Sequence, residues 1–271
     1  MRLVTFRDPH GIPRAGRLEG KDEVVELEAE SLLAWLDGDG RRDTATAHPL
    51  VDVSLLAPLP RPPSIRDFFA FEGHVATGWK LRGGEIPPAW YEQPVFYFSN
   101  PASVHAPGQP VRRPAACEWL DFELEVAAAI DLHGEIAGFM LMNDWSARDV
   151  QRREMTVGLG PAKGKDFATS LGPWLVTPDE LPYDGERLDL TAQVTVNGGV
   201  VTTSEAREQH WTWPQLVEHA ARDTVLVAGD VLGSGTFNRG CELELGGTWI
   251  QPGDVVTLAA PGLGELSNPV V

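Results

Sequence analysis

Residues 117–130 read CEWLDFELEVAAAI. The chain continues through the turn DLHGE at 131–135 into IAGFMLMNDWSARDVQRREM at 136–155, and reaches GPAKGKDF at 160–167. Phe122, Leu124 and Val126 alternate with Asp121, Glu123 and Glu125, the period-two pattern of a strand. Glu123 and Glu125 therefore point the same way. A second apolar run, Ile136 to Met142, stops abruptly at Asn143-Asp144 and puts a third carboxylate at a strand end, where loops commonly carry site residues. Acids gathered in one pocket repel each other unless a cation sits among them. A hard divalent ion held by carboxylate oxygens is the simplest resolution. Taken alone, a Glu-x-Glu strand in an acid-rich chain is more often a solvated face, so the site reading requires further ligands and a base.

The totals narrow the class. A chain of 271 residues buries a large core and fits one large domain or one domain with a small appendage. Thirty-nine acids against 22 bases, a formal charge of −17, argue against a nucleic-acid or anionic-membrane partner. The two cysteines, Cys117 and Cys241, have no metal-like spacing, so neither zinc nor a disulfide scaffold is expected. MRLVTFRDPH lacks the apolar core of a signal peptide, and no run approaches the roughly 18 to 20 apolar residues of a membrane span. The expectation is a cytoplasmic protein.

Residues 1 to 60 read as a small opening unit, with strands around Leu3 to Phe6, Arg17 to Glu19 and Val24 to Leu27. Ser31 caps a short helix through Leu36 that Gly38 ends. The proline-rich LLAPLPRPPS is the joint to a main domain at 61–271. Ser64 with Asp67 resembles a capping box, which predicts a helix from Ser64 that places Asp67 and His74 on one face, roughly 10 Å apart. That spacing suits a metal ligand and a base flanking a substrate. It equally suits a surface Asp at a helix start with a half-buried His nearby. Gly78 to Pro88 reads as a Gly/Pro-rich loop with Lys80 and Arg82 as its cations, and Tyr91 to Ser99 as strand.

Ser146 with Asp149 predicts a cap for a helix that carries Arg148 and Gln151 and ends before Gly158. Gly160 to Lys165 is not a phosphate loop, because Asp166 stands where Ser or Thr is needed and Leu159 where the first glycine is. Asn197-Gly198-Gly199 predicts a hairpin turn, and Thr212, Pro214 and Gln215 a helix start. Gly233 and Gly235 do not form a dinucleotide loop, since Cys241 to Leu245 reads as an alternating strand rather than a helix. No Gly-x-Ser-x-Gly elbow supports a serine hydrolase. Strand signals outnumber helix signals after residue 100, so a mainly β (α+β) main domain is expected.

In this order RDFFAFEGH, LDFELE, NDWSARDVQ, KGKDF, GSGT and PGD resemble the fumarylacetoacetate hydrolase family. The likeness runs from about residue 61 to 271. It implies a mixed β-sandwich roll with a small N-terminal β-rich domain, assembled as a homodimer. It implies that Asp67, Glu123, Glu125 and Asp144 are metal ligands, that His74 is the catalytic base and that Glu244 orients it. Gln151, Lys165 and Tyr97 fall at substrate-contacting positions, with Thr169 and Thr236 lining the site. Lys80 or Arg82 stands in for a basic residue that follows the histidine in the animal enzyme.

The activity implied is metal-dependent hydrolysis of a carbon–carbon bond in a β-diketo acid of fumarylacetoacetate or acylpyruvate type, with Mg²⁺, or Mn²⁺ or Ca²⁺, as the ion. The ion would polarise the attacked carbonyl while His74 deprotonates water. Lys165 and Gln151 would donate hydrogen bonds to the oxyanion and to a substrate carboxylate. The same scaffold supports hydratases, isomerases and decarboxylases of 2-oxo acids, and a purely structural cation remains the non-enzymatic alternative.

Overall fold

The computed structural model describes all 271 residues. Strands β1 (Arg2–Arg7), β2 (Pro13–Glu19) and β3 (Glu23–Leu27) form an antiparallel meander. Helix α1 (Leu32–Leu36) starts where the Ser31 side chain accepts the Ala34 N–H at 3.1 Å, and Gly38 turns the chain away at φ 99°. Both features match the sequence reading. Strand β4 (Asp43–Pro49) pairs with β3 and carries no pattern in the sequence, because none of its side chains is fully buried. The two-residue β5 (Ser54–Leu55) closes on β1.

The helix expected from Ser64 is not there. Ile65–Phe68 is strand β6, and helix α2 (Glu72–Leu81) begins only after Phe71. All four β6 residues are buried, with β6 lying between two other strands, so there is no solvent face for an amphipathic helix to present. Ser64 Oγ donates to Asp230 Oδ1 at 2.6 Å instead of capping. Asp67 and His74 thus belong to different elements, and α2 takes up the first part of what the sequence predicts as a loop from Gly78. Strand β7 (Phe96–Ser99) covers only the last part of the expected aromatic strand, since residues 88–91 form a short 3-10 turn; β8 (Val104–His105) follows.

The strand expected across Asp121 to Val126 is interrupted at residues 122–123, between β9 (Leu120–Asp121) and β10 (Leu124–Ile130); β10 forms the central hairpin with β11 (Ile136–Asp144), joined by DLHGE as expected. Helix α3 (Arg148–Met155) follows β12 (Ser146–Ala147). The predicted Ser146 cap is not formed. Ser146 is held in β12 opposite Asp121, and Asp149 instead accepts the backbone N–H of Glu118 at 2.8 Å. Strand β13 (Thr169–Val176) completes the middle of the sheet.

In β14 (Thr191–Val196) and β15 (Gly199–Glu205) the expected hairpin is present, with Asn197 and Gly198 at φ 52° and 81°. Two successive positive φ values make the turn type whose twist suits adjoining strands. Helix α4 (Trp213–Ala221) starts at Thr212, whose N–H donates to Gln215 Oε1 at 2.9 Å. After β16 (Val231–Gly233) comes a correction: Glu242–Leu245 is a one-turn helix, α5, not a strand. Its alternation is too short to find a pairing partner, and its first N–H groups are satisfied by Asp121. Strands β17 (Val255–Ala260) and β18 (Gly264–Pro269) end the chain.

One large sheet runs β4-β3-β2-β1-β13-β11-β10-β16-β6-β7, with β5 beside β1 and β8 beside β13. The opening strands are therefore hydrogen-bonded into the main sheet through β1 and β13. A four-stranded antiparallel sheet, β15-β14-β17-β18, packs against it. Strand β10 shows why both layers are needed. Val126, Ala128 and Ile130 face a core shared with Val194, Leu216 and Leu258, while Ala127 and Ala129 face another shared with Leu3, Leu32 and Leu36. A strand buried on both faces reads as a continuous apolar run, as VAAAI does. The result is a mainly β, mixed sandwich. No helix is long and apolar enough to cross a membrane, and Cys117 and Cys241 are both buried free thiols.

Candidate active site and metal centre

Four carboxylates from three strand regions meet at one end of the large sheet. Asp67, Glu123, Glu125 and Asp144 each offer an oxygen within 4.8 Å of the others, and all four are buried. The pairing of Leu124 with Asn143 brings the start of β10 against the end of β11. Asp67 arrives from β6, opposite Gly233 on the intervening β16. That glycine is a requirement of the site, because a Cβ there would lie 2.4 Å from Asp67 Oδ1 and 2.8 Å from Met142 Cε. Thr236 Oγ1 and the Gly235 N–H donate to Glu125 at 3.4 and 3.2 Å, and Tyr97 on β7 donates its hydroxyl to Asp144 Oδ2 at 2.6 Å.

Two cations reach into the cluster. Lys165 Nζ donates to Glu123 Oε2 and to Asp144 Oδ2. Arg148 Nη2 donates to Glu123 Oε1 at 2.7 Å, its Nε to Asp121 Oδ2 at 2.7 Å and its Nη1 to Gln151 Oε1 at 3.3 Å. At Glu123 burial works against ionisation, but Arg148, Lys165 and His74 outweigh it and hold the pKa below the usual carboxylate range. The other three go the opposite way. Burial, with Asp144 beside it, pushes Asp67 well up; burial, with Asp67 and Glu123, does the same to Glu125. Burial also raises Asp144, an effect that Lys165 only partly offsets.

The donor set fits a divalent cation. Asp67 Oδ1 and Asp144 Oδ1 are buried without any hydrogen-bond partner, a costly state for carboxylate oxygens. An all-oxygen cage in which three of the four acids resist ionisation on their own is the environment a hard ion stabilises.

His74 stands beside this cluster in the first turn of α2. Its Nδ1 is 2.9 Å from Glu244 Oε2 on α5, and its Nε2 is 4.0 Å from Glu123 Oε1. A carboxylate at Nδ1 accepts that ring proton and leaves the Nε2 lone pair free to act as a base. The backbone N–H of His74 donates to Asn238 Oδ1 at 3.0 Å, which fixes the helix start. The Cys241 thiol lies 3.4 Å from the same Glu244 oxygen.

A cavity of about 280 Å³ opens onto these groups. Its wall includes Asp67, Glu123, Glu125, His74, Lys165, Gln151, Tyr97, Thr236 and Arg82, and its apolar side is Phe69, Val95, Phe96, Met155, Pro161 and Leu243. Asp144 lies in the carboxylate cluster and Glu244 behind His74, so both complete the constellation from outside the wall. Lys80 is exposed and does not reach the cavity. Thr169 is buried against Ser99 Oγ at 3.1 Å, also off the wall. A larger, shallower hollow of about 380 Å³ on the four-stranded sheet has Glu265 as its only ionisable group and lacks the means for chemistry.

Sequence reasoning left Arg148, Asp121 and Asn238 without roles. Two of them had a signal: Arg148 precedes Gln151 by three residues on one helix, hence on one face, and Asp121 alternates in step with Glu123. Asn238 had none.

Known proteins bear on this geometry. Residues 64–271 match the family described as fumarylacetoacetate (FAA) hydrolase, C-terminal, and residues 1–58 the one described as Rv2993c-like, N-terminal. A fumarylacetoacetase of Oryza sativa subsp. japonica is 30% identical over 297 residues, covering 81% of this chain and 68% of the relative. The chain spans 54% to 68% of the length of eight curated fumarylacetoacetases to which it is similar. A 5-carboxymethyl-2-hydroxymuconate delta-isomerase from Mycobacterium smegmatis superposes with TM-score 0.79 at 28% identity, covering 100% of this chain and 99% of that one. A 2-keto-3-deoxy-D-arabinonate dehydratase complexed with magnesium and 2,5-dioxopentanoate shares the fold with TM-score 0.77 at 20% identity, covering 100% and 98%. Because the match over residues 64–271 takes in well over half of its length, the chain belongs to the fumarylacetoacetate hydrolase family.

Proposed function

We propose that this protein is a divalent-metal-dependent hydrolase that cleaves a carbon–carbon bond in a β-diketo acid of the acylpyruvate or fumarylacetoacetate type. The observation that carries the reading is the His74–Glu244 pair, 2.9 Å apart, set beside the buried carboxylate cluster on one cavity. A binding site needs no oriented base, and a structural cation needs no cavity.

Asp67, Glu123, Glu125 and Asp144 would hold the ion, Mg²⁺ by their hard oxygen chemistry, with Mn²⁺ or Ca²⁺ as alternatives. A bound divalent ion supplies Lewis acidity, which polarises substrate carbonyl oxygens and offsets the negative charge that grows as the bond breaks. His74 takes the proton of the attacking water at Nε2, while Glu244 accepts from Nδ1 and favours the imidazolium that results. Lys165 spends two of its three N–H donors on Glu123 and Asp144 and keeps one for a substrate oxygen. Gln151 has its carbonyl engaged by Arg148, which leaves its NH₂ to donate to a substrate carboxylate. The apolar wall would exclude water from the acyl group.

A hydratase, isomerase or decarboxylase reaction of a 2-oxo acid is the second reading. It is favoured by the whole-chain superposition on the Mycobacterium smegmatis isomerase, whereas the chain spans only part of each curated fumarylacetoacetase. Incubating the purified protein with acylpyruvates, a hydroxydienoate and oxaloacetate, with and without Mg²⁺, separates the two. Mg²⁺-dependent release of pyruvate and a free acid from an acylpyruvate is expected. Turnover confined to the dienoate or to oxaloacetate would reject hydrolysis.

We read residues 1–60 as an N-terminal domain and 61–271 as the catalytic domain, a division supported by the separate family matches over 1–58 and 64–271. The working form would be a cytoplasmic homodimer.

A further inference from the structure

Asp121 is fully buried and lies outside the four-carboxylate cluster, yet it takes three hydrogen bonds from two distant parts of the site. Its Oδ2 accepts Arg148 Nε at 2.7 Å and the Leu243 N–H at 3.2 Å, and its Oδ1 accepts the Glu242 N–H at 2.7 Å. Each contact has a consequence at the cavity. With Nε anchored, the guanidinium fork points Nη2 at Glu123 and Nη1 at Gln151. The two amides open α5, the single turn that carries Glu244 to His74. A four-residue helix cannot hold itself together, and Cys241 at its cap position supplies no side-chain acceptor.

We propose that Asp121 is the positioning residue that ties the two halves of the site together, aiming Arg148 at Glu123 and Gln151 while clamping the turn that presents Glu244 to His74. All three partners are donors, and the carboxyl group accepts from them on both of its oxygens. An asparagine would keep one arm and turn its NH₂ on the other: on Glu242 N–H if its oxygen stays with Arg148, on Arg148 if the amide flips. Either way one half of the site loses its hold.

The proposal rests on the reading that the four carboxylates bind a divalent ion, and the test keeps the two apart. Calorimetric titration of wild type with Mn²⁺ comes first; no binding would sink the metal reading. Asp121→Asn is then expected to keep the wild-type circular dichroism spectrum and to bind Mn²⁺ about tenfold more weakly, in the range usual for residues that hold metal ligands in place. At saturating Mn²⁺ its kcat on an acylpyruvate should fall at least about tenfold, and KM should rise as Gln151 loses its aim. In an Arg148→Gln background the same change should move Mn²⁺ affinity by less than about twofold, because Arg148 transmits that effect. Equal losses in both backgrounds, or wild-type affinity and kcat in Asp121→Asn, would overturn the coupling while leaving the metal site intact. Should Asp121→Asn fail to fold, Arg148→Lys still decides: its single ammonium cannot span Asp121, Glu123 and Gln151, so kcat should drop by a similar factor, and a wild-type kcat would refute the proposal.

Discussion

His74 and Glu244 lie 170 positions apart and meet through a 2.9 Å hydrogen bond between Nδ1 and Oε2. The bond sets which imidazole nitrogen faces the carboxylate cluster, and with it the direction in which a proton can leave water. His74→Ala should therefore lower kcat by about 10² to 10⁴-fold while Mg²⁺ affinity stays near wild type. Asp144→Ala should lose both. Parallel Mg²⁺ calorimetry and turnover assays check this, and an undiminished rate in His74→Ala would rule out the base assignment.

Acidity should act on the metal-free protein in the reverse of the usual direction. Asp67, Glu125 and Asp144 have folded-state pKa values raised by burial above those of the unfolded chain. Over that interval the folded form binds more protons, so stability is greatest below the unfolded carboxylate pKa and declines as pH rises through the folded values. Glu123, lowered, contributes the opposite sign, and its share is lost only as pH falls below the unfolded value. Scanning calorimetry in EDTA from pH 4 to 8 should show the melting temperature falling, and added Mg²⁺ should remove the decline. A melting temperature that climbs with pH in EDTA would contradict this account.

Gly233→Ala tests the close approach on β16. The new methyl would lie 2.4 Å from Asp67 Oδ1, with Met142 at 2.8 Å on its other side. Overpacking of this kind typically costs about 1–3 kcal/mol, and here it also displaces a ligand. Denaturant titration should show the destabilisation and Mg²⁺ calorimetry the weaker binding; normal values of both would mean that β16 yields without disturbing Asp67.

Arg82 and Lys80 separate cleanly by position. Arg82 is on the cavity wall, its guanidinium 5.7 Å from the Trp79 ring, whereas Lys80 is exposed and off the wall. For a substrate with a distal carboxylate, Arg82→Ala should raise KM about tenfold, the loss expected for one charge-assisted hydrogen bond of roughly 1.5 kcal/mol. Lys80→Ala should leave it unchanged. Steady-state kinetics on acylpyruvates with and without a terminal acid decides, and equal effects of the two substitutions would remove Arg82 from substrate recognition.

The sequence alone determined whatever depends on neighbours along the chain. Alternation from Asp121 to Val126 and the apolar run from Ile136 to Met142 mark the hairpin around DLHGE, the positive-φ preference of Asn197-Gly198 marks the next hairpin, and the Thr212–Gln215 pair marks α4. The order of carboxylates, histidine and lysine carried the family likeness as well. Tertiary structure decided the rest. Ser64 to Asp67 has the local signal of a helix start, but burial between β16 and β7 makes it a strand, because pairing two open strand edges outweighs one capping bond. Glu242 to Leu245 alternates like a strand, yet with no edge to join it closes into a turn on the Asp121 carboxylate. Local spacing places Arg148 beside Gln151 and Asp121 in step with Glu123, but the bonds from Arg148 and Glu242 to Asp121, and from the His74 N–H to Asn238, cross more than twenty residues, which no local pattern encodes.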